Sequence, residues 1–269
     1  MKNKKSSGKV ALVTGGSSGI GKAVCESLAK DGYIVYELSR REREKQPEIN
    51  HISCDVTDEN AVKLSVEQII SECGRIDLLV NNAGGGISGA VEFTELEDAK
   101  RLFDVNFFGN VALTSAVVPY MRKVGCGKII NISSVAGDLS IPYQAFYSAG
   151  KAAINSLTLA LRNELKAFDI KVCALMPGDV HTGFTEVRKK SVVGDDIYGG
   201  RINRAVSVME RDELNGMNPE TLAKKVLKLA KKRRVKPFYT CGIKYAFFLF
   251  LAKVLPRSLS NYIVGKIYQ

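Results

Sequence analysis

Lys9-Val10-Ala11-Leu12-Val13-Thr14 runs without a break into Gly15-Gly16-Ser17-Ser18-Gly19-Ile20-Gly21, and the reading of this stretch decides the fold. Its first half is an apolar run of strand length, and from Ile20 to Lys30 apolar residues recur at helical spacing. The turn between them holds four glycines, more than a merely tight strand-to-helix turn needs. Glycine lets backbone approach a pyrophosphate closely, and a helix N-terminus offers unpaired N–H groups with a favourable dipole. Gly15, Ser17, Ser18, Gly19, Ile20 and Gly21 are therefore candidate contacts to a dinucleotide.

The same alternation continues along the chain. Strand-like runs lie at Tyr33–Leu38, Ile49–Ser53, Asp77–Val80, Lys128–Ile132 and Lys171–Met176. Amphipathic stretches lie between them, at Glu59–Glu72, Ala99–Arg122 and Ala152–Phe168. This pattern predicts βαβ units and an α/β fold: a doubly wound, mostly parallel sheet with helices on both faces, of Rossmann type. The chain of 269 residues reads as one domain. Its core covers about 8–181, a flap about 182–218, and a basic and hydrophobic helical extension about 219–269. The flap is polar, glycine-containing and charged, which suits a mobile cover over a site at the strand ends.

Composition narrows the function. The six cysteines show no CxxC spacing and read as buried thiols in a reducing compartment. With His51 and His181 as the only histidines, no metal site is expected. The basic start MKNKKSSGKV lacks the apolar stretch of a secretory signal, and a cytoplasmic location is expected. The net charge of +11 is uneven, with a dense block of Lys and Arg from Lys224 to Lys236. That block suits an anionic lipid, nucleic acid or acidic partner, and equally a solvated helix face. It lacks interleaved aromatics before Phe238 and Tyr239, which argues against nucleic acid.

Two further features carry chemistry. At the end of the second strand, where a carboxylate favours NAD, the chain has Ser39-Arg40-Arg41. Two guanidiniums suit a ribose 2′-phosphate, predicting NADP(H) over NAD(H); pairing with Glu42 and Glu44 is the other reading. Within the second strand, Glu37 is odd for a buried position and needs a polar partner such as His51. The segment Tyr147-Ser148-Ala149-Gly150-Lys151 places a phenol and an ammonium one helical turn apart. A nearby ammonium favours the phenolate, so the Tyr147 pKa is expected to fall towards neutrality and to suit acid–base work. Ser134 lies thirteen residues before Tyr147, with Ser133 as its neighbour and rival.

With these residues in place, the chain from about Gly8 to Phe184 resembles the short-chain dehydrogenase/reductase family. Thr14 to Gly21 matches the family's cofactor turn, Cys54-Asp55-Val56 its adenine-contacting segment, and Asn81-Asn82-Ala83-Gly84 the motif that closes the fourth strand over the cofactor. Asn106, Ser134, Tyr147 and Lys151 fall where the family keeps its catalytic tetrad. Pro177-Gly178, with Val180 and Thr182, matches the turn against the nicotinamide amide. Ser18 stands where many NADP-dependent members carry a basic residue, leaving Arg40 and Arg41 to hold the phosphate. The resemblance implies hydride transfer between cofactor and a carbonyl held by Ser134, with Tyr147 as the acid. Lys151 then holds the ribose, Asn106 a relay water, and the protein forms a homodimer or homotetramer.

Substrate-facing candidates are Gly85, Gly86, Ile87, Ala136, Tyr143, Phe184 and Val187. The set is largely apolar and shows no cation for a carboxylate, which suits a hydrophobic small molecule. Pro177 to Phe184 resembles the 17β-hydroxysteroid and retinol dehydrogenase branch, implying steroid, retinoid or lipid-like alcohols and ketones. The tail run Tyr245–Ala252 is too short to span a bilayer. It suits peripheral membrane contact, another subunit, or packing on the domain. Two other functions compete: a 3-oxoacyl-carrier-protein reductase, and a regulator that binds NADP without chemistry.

Overall fold

The computed structural model describes residues 8–41 and 46–268. In chain order the elements are β1 (Val10–Thr14), α1 (Gly19–Lys30), β2 (Ile34–Ser39), β3 (Ile49–Ser53), α2 (Glu59–Cys73), β4 (Leu78–Asn81), β5 (Ile87–Ser88), α3 (Leu96–Phe103), α4 (Gly109–Val124), β6 (Gly127–Ile132), α5 (Ala145–Glu164), β7 (Ile170–Pro177), α6 (Phe184–Val187), β8 (Lys189–Lys190), α7 (Arg201–Leu214), α8 (Pro219–Lys231), β9 (Phe238–Cys241), α9 (Ile243–Val254) and α10 (Arg257–Tyr268).

Seven strands form one parallel sheet in the order β3-β2-β1-β4-β6-β7-β9. Side chains alternate across it, as a pleated strand requires. Ala11 and Val13 face α1 and α8, where Leu28, Leu222 and Val226 close one core. Val10 and Leu12 face α2 and α4, where Val66, Ile69, Leu113 and Val117 close the other. The chain winds outward from β1 to β3, then returns to β4 on the opposite side of β1. That reversal opens a crevice at the carboxyl ends of β1 and β4, where such sheets bind ligands.

Buried polar contacts lock this arrangement. Asn81 donates to Asn110, Thr114 and Asn131, and Asn131 donates to Thr158, so one network pins α4 and α5 to the sheet. Lys128 Nζ donates at 2.7 Å to each of the Leu229, Ala230 and Lys232 carbonyls. An ammonium there satisfies the orphan acceptors and the negative end of the α8 dipole. Glu37, fully buried, meets His51 Nδ1 at 2.5 Å, which is the partner the sequence called for.

Several boundaries differ from expectation. The helix expected at Ala99–Arg122 is a continuous helical run from Leu96 to Val124, with a π-helical stretch at Asp104–Phe108. This run is long and apolar enough to cross a membrane, yet Leu113, Val117 and Met121 are buried against the sheet. The helix expected at Ala152–Phe168 begins earlier, at Ala145, and ends at Glu164 before a 3-10 turn at Lys166–Phe168. Strand β9 was not expected: its four residues follow the basic block and acquire strand character only by pairing with β7. The flap is no bare loop, since it contains α6, β8 and the 14-residue α7.

Candidate functional site

The glycine turn after β1 is shaped by two steric demands. Gly19 has φ of 52°, a left-handed conformation that side chains oppose. At Gly21 an added Cβ would lie 2.1 Å from the Gly15 carbonyl oxygen. Ser18 caps α1 in extended geometry but makes no side-chain bond to it. The first N–H groups of α1 thus remain open to an anion, and the cradle fits a pyrophosphate. From the neighbouring strand, the backbone N–H groups of Asn82 and Ala83 both donate to Thr14 Oγ1 at 2.9 Å. Asn82 Nδ2 donates to the Thr14 carbonyl at 2.8 Å. The turns after β1 and β4 are therefore one unit.

The other expected cofactor contacts distribute around this unit. Thr182 packs within van der Waals reach of Gly19. Ser39 donates both to Glu37 and to the Arg41 carbonyl. Arg40 and Arg41 are exposed at the end of β2, with Arg40 at 3.8 Å from Asp55. The alternative partners Glu42 and Glu44 lie outside the described residues. Asp55 itself accepts from the Thr57 N–H and hydroxyl. Val56 packs against Gly109 in the core, and Val180 is likewise a core side chain.

Beside the cradle, four polar residues converge from different elements. Ser134 follows β6, Tyr147 and Lys151 lie on α5, and Asn106 sits in the π-helical stretch, a feature frequent at functional sites. The Ser134 hydroxyl faces Tyr147, close enough to act on its ionisation, and accepts from the Ala136 N–H. Ser133 instead donates to Asn155 at 2.6 Å and is buried against α5, which separates the two serines. Lys151 Nζ donates to the Ile132 carbonyl at 2.9 Å and lies 5.7 Å from the Tyr147 ring centroid. Asn106 accepts from the Gly85 N–H and donates back to the Gly85 carbonyl. Both ends of its amide clamp the segment that follows Gly84.

The expected fall in the Tyr147 pKa is absent. Burial pushes the phenol up to about 12, with the Ser134 hydroxyl acting in the opposite sense. Burial also lowers Lys151 to about 8. The ammonium is itself disfavoured here, and desolvation of the phenolate outweighs it. Neutral phenol is the resting form of Tyr147 at cellular pH.

On the substrate side, the Phe184 ring lies 5.9 Å from that of Tyr147 and packs over Gly86. Ala136 and Ile87 are buried. Tyr143 holds a positive φ of 60° and stacks edge-on with Tyr198, so it helps fasten the flap. Val187, expected to face substrate, is 68% exposed and points to solvent. A cavity of about 460 Å³ opens within the flap, lined by His181, Thr182, Thr185, Glu186, Lys190 and Glu210; none of the four converging residues lines it.

Two contacts were not legible in the sequence. Arg188 is fully buried and donates to Glu213 at 2.6 Å, while Thr185 donates to the second carboxylate oxygen at 2.7 Å. Arg188 Nε and Nη2 have no partner among the described residues. Its charge reaches Tyr147 and acts to lower that pKa. A buried cation thus lies beside Gly86 and within electrostatic reach of Tyr147. In the sequence Arg188-Lys189-Lys190 reads as surface charge, with no periodicity to single out its first member. The second contact comes from the tail: Tyr245 packs on Gly178, where an added Cβ would fall 2.1 Å from its ring, and its hydroxyl donates to Asp179. The tail thus closes over the turn after β7.

Residues 9–192 match the family described as short chain dehydrogenase. A 3-ketodihydrosphingosine reductase of Bacteroides thetaiotaomicron is 43% identical over 234 residues, covering 86% of this chain and 87% of that protein. A short-chain dehydrogenase from Streptomyces avermitilis superposes with a TM-score of 0.83 at 32% identity, covering 94% of this chain and 95% of that one. A 3-ketoacyl-(acyl-carrier-protein) reductase from Brucella melitensis, complexed with NADH, superposes with a TM-score of 0.74 at 26% identity, covering 88% of this chain and 96% of that one.

Proposed function

The chain belongs to the short-chain dehydrogenases, oxidoreductases acting on CH–OH and C=O groups, and from that membership we propose an NADP(H)-dependent enzyme that interconverts a hydroxyl and a carbonyl on a lipid-like substrate. The observation that carries this reading is Tyr147 with Lys151 Nζ 5.7 Å from its ring centroid and the Ser134 hydroxyl facing it, beside a cradle in which no side chain caps α1.

The bound cofactor supplies the hydride. Ser134 holds the carbonyl oxygen, and Tyr147 donates its phenolic proton as negative charge develops there. Placing two hydroxyls in advance against that charge stabilises the transition state. With its phenol pushed up to about 12, Tyr147 is protonated and ready for reduction at neutral pH. Lys151 binds the ribose hydroxyls, with its ammonium held from the Ile132 carbonyl. Asn106 fixes the Gly85 backbone over the cofactor side of the cleft. Arg40 and Arg41, exposed at the end of β2, take the 2′-phosphate.

The substrate side combines Phe184 with the orphaned donors of Arg188. That pairing suits a hydrophobic ketone carrying an acceptor oxygen near its reacting end, as in a long-chain lipid ketone. The similarity to a 3-ketodihydrosphingosine reductase supports the same class. A 3-oxoacyl-carrier-protein reductase is the second reading, favoured by the basic surface around α8. A cytoplasmic homodimer or homotetramer completes the proposal.

The test follows NADPH oxidation, with NADH alongside, against a long-chain 3-keto base, steroid ketones, retinal, small aldehydes and an acetoacetyl thioester. Fast NADPH-dependent reduction of a long-chain or bulky ketone supports the reading. Preference for the thioester transfers it to the carrier-protein class, and preference for NADH removes the arginine assignment.

A further inference from the structure

Helices α9 and α10 are built the wrong way round for helices packed on a water-soluble domain. Toward the domain, α9 buries Leu249 and sets Tyr245 on Gly178, and α10 buries Val264. Toward solvent, Ile243, Phe247, Phe250 and Val254 follow one another at spacings of four, three and four, the repeat of a single helical stripe. They are 91%, 56%, 61% and 65% exposed, where an ordinary surface helix carries polar groups. On α10, Leu259, Tyr262, Ile263 and Ile267 are exposed in the same manner. A patch this rich in exposed aromatic and branched side chains marks a site of interaction.

Charge identifies the occupant. From Thr221 to Gln269 the chain has twelve Lys and Arg and no Asp or Glu. Lys244, Lys253, Arg257 and Lys266 are exposed on the two helices that carry the apolar stripes. Lys244 lies over the Tyr245 and Phe248 rings and Lys266 over Tyr262, so the cations flank the apolar surface. A second copy of this chain is a poor fit. A two-fold contact sets the patch against itself, and two cationic surfaces without acid repel. A nearly neutral apolar partner leaves the cations unused. A bilayer with anionic headgroups meets both features, apolar side chains entering the acyl boundary and lysines at the headgroups. Each helix of 12 residues is about 18 Å long, so the pair lies in the interface and does not span.

We propose that α9 and α10 form an interfacial docking surface for anionic lipid bilayers. Because Tyr245 on α9 touches Gly178 and Asp179, this surface is continuous with the cleft. The inference does not depend on the oxidoreductase assignment, since binding is read without turnover.

The experiment is co-sedimentation of the full chain with vesicles of phosphatidylglycerol and phosphatidylcholine, against vesicles of phosphatidylcholine alone. Preferential binding to the anionic vesicles, weakened by salt, is expected. Phe247→Glu with Phe250→Glu should reduce the partition coefficient at least about tenfold. Lys253→Gln, Arg257→Gln and Lys266→Gln together should erase the preference for anionic lipid while leaving the apolar stripes intact. Circular dichroism and thermal melting establish that each variant is folded, and the charge variants keep the test open if the Glu variant unfolds. Failure to bind anionic vesicles at low salt overturns the proposal. So does a change of mass by light scattering in the Phe variants with vesicle binding unchanged, which would assign the face to a second copy.

Discussion

On the β1 side of the cleft, contacts are made mainly by backbone. Glycines give room, α1 presents amides that no side chain caps, and Asn82 and Thr14 tie two neighbouring turns by bonds that each pair one short side chain with a main-chain group. On the flap side, contacts are made by side chains from elements far apart in sequence: Arg188 with Glu213, Phe184 with Tyr147, and Tyr245 with Asp179. Backbone cradles recognise what every dinucleotide shares. Side-chain assemblies discriminate, because each can change without disturbing the sheet. On the function proposed above, the first wall serves the cofactor and the second the substrate.

The sharpest way to break this division is at the point where both walls meet. Tyr147→Phe should reduce turnover by about 10²–10⁴-fold while cofactor affinity, read by fluorescence titration, stays within a few-fold. A parallel loss of cofactor binding would make Tyr147 part of the backbone-type wall instead. Next in size, Arg188→Met leaves the Glu213 carboxylate buried without its ion-pair partner and should cost about 3–5 kcal/mol of stability by denaturant unfolding. Adding Glu213→Leu should recover most of that loss; no recovery would mean that Arg188 supports the fold by packing alone.

On the first wall, the proposed role of Arg40 and Arg41 would be an exception to backbone recognition. Arg40→Asp with Arg41→Ala should weaken NADPH by about ten- to a hundred-fold, the worth of one or two charge-assisted hydrogen bonds, and NADH far less. Equal weakening of both removes the 2′-phosphate role. At the other end of the sheet, Lys128→Met leaves three carbonyls without their donor and should cost about 1–3 kcal/mol, visible as a lower melting temperature with unchanged cofactor affinity.

A separate effect is a pH dependence. In the folded protein Lys151 is lowered to about 8 from its ordinary 10.5. Between these values the unfolded chain holds a proton that the native state has released, so this group makes stability rise with pH across that window. The rise is complete above the unfolded value and lost as pH falls through about 8. Subtracting the stability curve of Lys151→Met from that of the wild type isolates it; a flat difference from pH 8 to 10.5 would mean that the ammonium is not desolvated in the cofactor-free protein.

How much of this could be read in advance follows the same division. Strand β1 and the glycine turn are local patterns, and six strands of the main sheet were legible with boundaries shifted by a residue or less. Ser134, Tyr147 and Lys151 follow from spacing and resemblance, and their convergence is a consequence of β6 and α5 packing side by side. Strand β9 was hidden because Phe238–Cys241 is short and follows a charged block. The ion pair of Arg188 and Glu213 spans 25 residues and two elements, so neither residue differs from a surface charge until the flap folds. The direction of the Tyr147 shift was misjudged for the same reason. Spacing reveals the neighbouring lysine, but only the assembled site reveals how much water both groups have lost.

The contact between Gly178 and Tyr245 has a meaning for variation among relatives. The absence of a side chain at one position is the condition for an aromatic ring at the other, across 67 residues of chain. The two positions should therefore change together: lineages with a bulkier residue after the proline should carry a small one in the tail helix, or hold that helix elsewhere. A chimera that exchanges tails between such lineages would inherit a clash at the turn, and the history of substrate change in these proteins would be recorded at their C-termini before it reached Ser134 or Tyr147.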